Sequence, residues 1–193
     1  MRKLITAVVC LTLAACSNQQ KKGMEAFKPT TIEQVNVSAP KLIGRDWMLI
    51  TAGKDTGSFN TMTASWGSLG HMWNKNVAFM VIRPQRYTKE FVDANQVYTL
   101  SFFSEQYRDA LNICGTKSGR TTNKVKEAGL TPIATPAGSV AFQEADMILE
   151  CRKLYAAPFV PEAFIDTGIV SRNYPSADFH TMYVGEIIGV YRK

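Results

Sequence analysis

The segment Asn60-Thr61-Met62-Thr63-Ala64-Ser65-Trp66-Gly67 carries the first pattern suited to chemistry. Small hydroxyl residues alternate along a strand-like run, which leaves room for a flat ligand and offers it donors. Downstream, Arg83, Arg86, Tyr87 and Thr88 stand at the start of a helical pattern, with Thr88 read as its N-cap. Guanidinium forks and the free N–H groups of a helix start converge on anions such as phosphate. The same residues also read as an exposed polar strand face and as surface partners for Glu90 or Asp93, and composition does not choose between these readings. Other chemistries find little support. His71 and His180 are the only histidines, Gly-x-Ser-x-Gly is missing, and neither a Walker loop nor Gly-x-Gly-x-x-Gly occurs. A serine hydrolase, a nucleoside triphosphatase and a Rossmann dehydrogenase are therefore disfavoured. Cys114 and Cys151 have no metal-ligand spacing, so no metal site is expected.

The elements that must position these residues are mostly strands. Val35 to Ala52 reads as one or two strands, Lys54 to Ser58 as a turn, and Phe59–Trp66, Val77–Ile82, Val97–Phe103, Met147–Tyr155 and Thr181–Tyr191 as further strands. Short helices are expected from Thr88 to Asp93, from Gln106 to Cys114 with Gly115 as C-cap, and from Thr122 to Ala128 with Gly129 beyond it. Many strands without long crossover helices predict a mainly β fold, a β-barrel with short helices.

The N-terminus reads as an address. Arg2 and Lys3 precede an apolar stretch that ends in Leu13-Ala14-Ala15-Cys16, the pattern of a secretory signal peptide over residues 1–15. It is too short to span a bilayer. Small residues before a cysteine resemble the bacterial lipobox, which implies lipidation of Cys16 and a membrane anchor. Residues 16–37 are polar enough to read as a tether to a domain at 38–193. Ser17 is not the Asp associated with inner-membrane retention of lipoproteins, so the expected location is the cell envelope, lipid-anchored at the outer membrane and facing the periplasm. Cys151 closes an apolar run, where a buried free thiol is the expected outcome. The net charge of +6 loses Arg2 and Lys3 with the signal, and Lys117, Arg120, Lys124 and Lys126 stand together with no acid among them. So local an excess suits one phosphate better than a nucleic-acid backbone, which needs a broad basic face.

Five segments, in order, resemble the flavin reductase-like family of FMN-binding split barrels, in the branch that includes flavoredoxins. They are Asn60–Gly67, Arg83–Phe91, Ser101–Phe103, Gly115–Arg120 and His180–Ile187. The resemblance implies FMN as cofactor and a homodimer. It implies Asn60, Thr61, Met62, Thr63, Ala64, Ser65 and Trp66 along the flavin, and Arg83, Arg86, Tyr87 and Thr88 around its phosphate. Ser118, Gly119, Arg120 and Lys124 match a segment that closes over the cofactor, although Thr121 and Asn123 stand where the family often has acids. His180 is the candidate catalytic residue, as a proton or hydrogen-bond donor to reduced flavin, with a packed histidine as the plainer reading. The implied function is an FMN-dependent oxidoreductase carrying two electrons or a hydride. The alternatives are a non-catalytic flavin-binding lipoprotein and a barrel without cofactor. Cytosolic relatives draw on NADH or NADPH, a pool that an envelope protein does not readily reach, so a different redox donor is expected.

Overall fold

The computed structural model describes residues 23–193; the signal peptide, Cys16 and the first part of the proposed tether lie outside the described residues. The chain runs β1 (Lys28–Thr30), α1 (Ala39–Gly44), β2 (Met48–Asp55), β3 (Ser58–Ala64), β4 (Gly67–Met72), β5 (Lys75–Ile82), α2 (Tyr87–Ala94), β6 (Val97–Phe102) and α3 (Arg108–Thr116). It continues through α4 (Lys124–Glu127), β7 (Pro132–Ala134), β8 (Val140–Phe142), β9 (Met147–Pro158), α5 (Thr167–Asn173) and β10 (Thr181–Arg192).

The main sheet follows the order β3-β2-β6-β9-β10-β5-β4, with antiparallel neighbours throughout. Among the described residues no ladder joins β3 to β4, so the order opens there and β3 keeps one edge free. This is a mainly β architecture with short helices, as the patterning predicts. β2 is buried on both faces from Met48 to Gly53, which explains its lack of clean alternation. Met48, Ile50, Met80, Ile82, Leu100 and Tyr183 belong to one core cluster. Leu49, Leu111, Cys114, Phe142 and Ile148 belong to a second, which gathers β2 and β9 with α3 and β8. Cys114 and Cys151 are buried and free.

Several expectations are corrected. Residues 24–35 are not tether: β1 pairs with the end of β10, Lys28 opposite Arg192, and Phe27 and Val35 are buried. Burial of those two apolar side chains outweighs the polar composition around them. Residues 39–44 form a helix, because Ser38 accepts from the Lys41 amide and Pro40 suits the first turn. Gly115 lies within α3, whose C-cap is Lys117, and Thr88 lies inside α2 with Arg86 at its N-cap position. Gly129 does close α4, in a left-handed conformation (φ +66°). The strand β4 and helix α5 were not expected; both are largely exposed and lack an apolar period.

Candidate functional site

A groove runs along β3 and against the ends of β5 and β10. Its two adjoining cavities, of about 250 and 390 Å³, share Met62, Arg83 and Arg86 as walls. Residues 62–66 line the smaller cavity consecutively. Alternate side chains of a strand face opposite ways, so a consecutive lining means that β3 presents its edge, with unpaired backbone groups, to the groove. Trp66, half exposed, and His180 stand at this end. Tyr87, Thr88, Lys117, Ser118 and Lys124 wall the larger cavity.

The hydroxyl groups expected to serve a ligand are largely engaged by the protein. Thr61 Oγ1 lies 2.8 Å from Thr51 Oγ1 and 3.1 Å from the Ile50 carbonyl, and walls no cavity described here. Thr63 donates to the Leu111 carbonyl, tying β3 to α3. Asn60 Nδ2 donates to Thr88 Oγ1 at 2.9 Å, and both residues are buried. The wall that β3 gives the groove is therefore its edge with the side chains of Met62 and Ala64, and Ser65 follows directly after the strand.

The basic end is built by capping a helix. Arg86 donates to the Gly115 carbonyl at 2.8 Å, and Lys124 Nζ reaches the Cys114 and Lys117 carbonyls at 3.3 Å. Both satisfy carbonyls left open where α3 ends, whose dipole favours cations. Neither has a carboxylate partner among the described residues. Lys124 is only 4% exposed, and burial, with Arg86 adding to it, holds its ammonium below the usual lysine range. Gly119 sits against Asn60: a Cβ there would meet Asn60 Oδ1 at 2.2 Å.

Other predicted residues are placed differently. Arg83 walls both cavities, but its guanidinium pairs with Asp178, donates to the Asn173 carbonyl at 2.8 Å and lies 5.1 Å over the Tyr174 ring. Arg120 walls neither cavity; it pairs with Glu90 and stacks 4.3 Å over Tyr87. His180 is 8% exposed, with Trp66 5.1 Å from its ring and the Tyr174 hydroxyl 2.9 Å from Nδ1. Burial first, and then Arg83 and Arg86, push its pKa down to about 4 against the opposing Asp178. At neutral pH the imidazole is uncharged. The aromatic segment from Phe159 to Phe179, which supplies Tyr174 and Asp178, carries no signal in the sequence because its aromatics follow neither period 2 nor period 3.6.

The open strand order makes this a split β-barrel, with a groove along the unpaired edge of β3 and a basic recess beyond it. A family model described as the flavin reductase-like domain matches residues 41–193, and the chain belongs to that family. A comparison with curated proteins finds no match. Among solved structures, an FMN-binding domain of a flavin reductase-like enzyme from Shewanella baltica OS155 is similar with a TM-score of 0.61 and 13% identity, over 86% of this chain and 76% of that one. Flavoredoxin of Desulfovibrio vulgaris (Miyazaki F) gives 0.59 and 19%, over 85% and 76%. Nitrilotriacetate monooxygenase component B from Bacillus cereus gives 0.59 and 16%, over 77% and 70%. At these identities the likeness is one of fold.

Proposed function

We propose that the chain binds FMN in this groove and works as a flavin-dependent oxidoreductase. The observation that carries the reading is the pairing, in one groove of a flavin reductase-like domain, of an open strand edge with Arg86 and Lys124, two cations without carboxylate partners among the described residues. The residues fit the cofactor. The edge of β3, backed by Met62 and Ala64, suits a flat ring with a polar rim. Arg86, Lys124 and Ser118 suit a phosphate, because an anion there relieves the cost of an ammonium buried against neutral carbonyls. Bound FMN supplies the two-electron or hydride transfer, so the protein needs no nucleophile. Its own residues bind, orient and set the local field: Asn60 and Thr88 lock β3 to α2, and Trp66 and His180 border the ring end.

The purified protein is expected to show a flavin absorption spectrum and to release FMN identified by mass; colourless protein that stays unchanged in melting temperature with added FMN would sink the reading. Arg86→Ala should weaken FMN binding by about 1.5–3 kcal/mol, roughly ten- to hundredfold, while riboflavin, which lacks the phosphate, binds both forms alike. Calorimetry with the two ligands checks this. The uncharged state of His180 favours a second reading, a non-catalytic flavin carrier, because it removes the one imidazolium acid bordering the ring end. Acceleration of electron transfer to an acceptor separates the enzyme from the carrier.

Leu13-Ala14-Ala15-Cys16 supports a lipid anchor in the envelope, at the outer membrane facing the periplasm, and Cys16→Ser should move the protein from membrane to soluble fractions. Exposed Trp66, Trp73 and Tyr155 support a homodimer, which sedimentation would detect. An envelope redox partner, in place of NADH or NADPH, is the electron donor; rapid NADH oxidation by the flavin-loaded protein would refute that.

A further inference from the structure

His180 has two ring nitrogens, and the groove meets different chemistry according to which one holds the proton. Nδ1 faces the Tyr174 hydroxyl at 2.9 Å. Tyr174 is 4% exposed, and among the described residues its hydroxyl has no other hydrogen-bond partner. Its surroundings explain why: Phe179 stacks on its ring at 4.7 Å, Phe164 lies 5.8 Å away, and Arg83, over the ring, is only a donor. A phenol has one hydrogen. Were Nδ1 the donor, that hydrogen would be buried with no acceptor, whereas donation to Nδ1 satisfies both groups.

We infer that Tyr174 is a positioning residue whose hydroxyl donates to His180 Nδ1 and so fixes the neutral imidazole as the Nε2–H tautomer at the groove. Nε2 has no protein partner among the described residues and is not among their buried, unpartnered polar atoms. It is thus the ring's free donor where His180 walls the smaller cavity beside Trp66. Burial, Arg83 and Arg86 keep the ring uncharged, and Asp178, the one acid opposing them, is itself held by Arg83 and Gln85. Arg83 also braces the Asn173 carbonyl, so it serves the segment that carries Tyr174. The site therefore selects a ligand atom that accepts a hydrogen bond from a neutral N–H, a carbonyl oxygen or an unprotonated ring nitrogen. That choice of ligand atom rests on the FMN reading; the tautomer does not.

The side-chain ¹⁵N resonances of the full-length protein at neutral pH test the tautomer without flavin, with His71→Gln assigning the two histidines. A pyridine-like Nδ1 and a pyrrole-like Nε2 at His180 are expected. A protonated Nδ1, or an imidazolium, overturns the inference. Tyr174→Phe should shift both resonances toward the average of a tautomer mixture, and unchanged shifts would refute the positioning role. Should that variant fail to fold, the wild-type spectrum alone decides. A fixed Nε2–H tautomer in a protein that binds no flavin would defeat the proposed function and leave this inference standing.

Discussion

Gly119 and Asn60 touch because one of them lacks a side chain. A Cβ on Gly119 would stand 2.2 Å from Asn60 Oδ1, so Gly119→Ala must move either the loop that supplies Ser118 or the amide that donates to Thr88. FMN affinity should fall on the order of tenfold, about 1.4 kcal/mol, with little change in melting temperature. Asn60→Ala in the same chain should recover part of the loss by opening the space, and titration of flavin fluorescence reads both. His180 also makes stability depend on pH. Its folded pKa of about 4 lies below the ordinary 6.5, so between these values the unfolded chain takes up a proton that the folded imidazole refuses. Its contribution to stability is whole above about pH 6.5 and is lost progressively as the pH falls toward 4. Urea midpoints across that range should decline less steeply in His180→Gln than in the parent protein.

Among the elements, the turn between β7 and β8 is held by a buried carboxylate. Glu150, on β9, accepts from the Thr135 hydroxyl, from the Ala137 amide at 3.0 Å and from the Tyr191 hydroxyl at 3.3 Å, and burial raises its pKa above the usual carboxylate range. Glu150→Ala should cost about 2–4 kcal/mol by stranding three donors, and Glu150→Gln, which keeps an acceptor without the charge, should cost much less. Chemical denaturation distinguishes them. Much of this level was legible in the sequence. Strands β3, β5, β6, β9 and β10 announce themselves by β-branched and aromatic runs, and the motif segments at 60–67, 83–88 and 118–124 are each contiguous, so their local chemistry could be read. What could not be read is what each hydroxyl spends itself on. Thr61 and Thr63 look alike in the chain, yet one bonds across to β2 and the other to α3, 48 positions away. Likewise Arg83 finds Asp178 at a separation of 95 positions, which no local pattern encodes.

For the whole molecule, the folded unit begins earlier than composition suggests. Phe27 packs into the second core cluster and β1 adds to β10, so a chain starting at residue 23 keeps both. One starting at residue 38 should lose about 3 kcal/mol or more, the scale of removing one buried phenylalanine, and calorimetry of both truncations would show it. The strand that β1 joins also sets a direction. β10 begins at Thr181, beside His180 and the groove, and ends at Arg192, opposite Lys28. The chain therefore enters the barrel at the opposite end of a twelve-residue strand from His180. With a lipid on Cys16 drawing that end toward the bilayer, the groove would open outward, away from the lipid surface. On that proposal, an electron donor would reach the groove through the aqueous compartment, and a carrier dissolved in the membrane would face the wrong pole of the barrel.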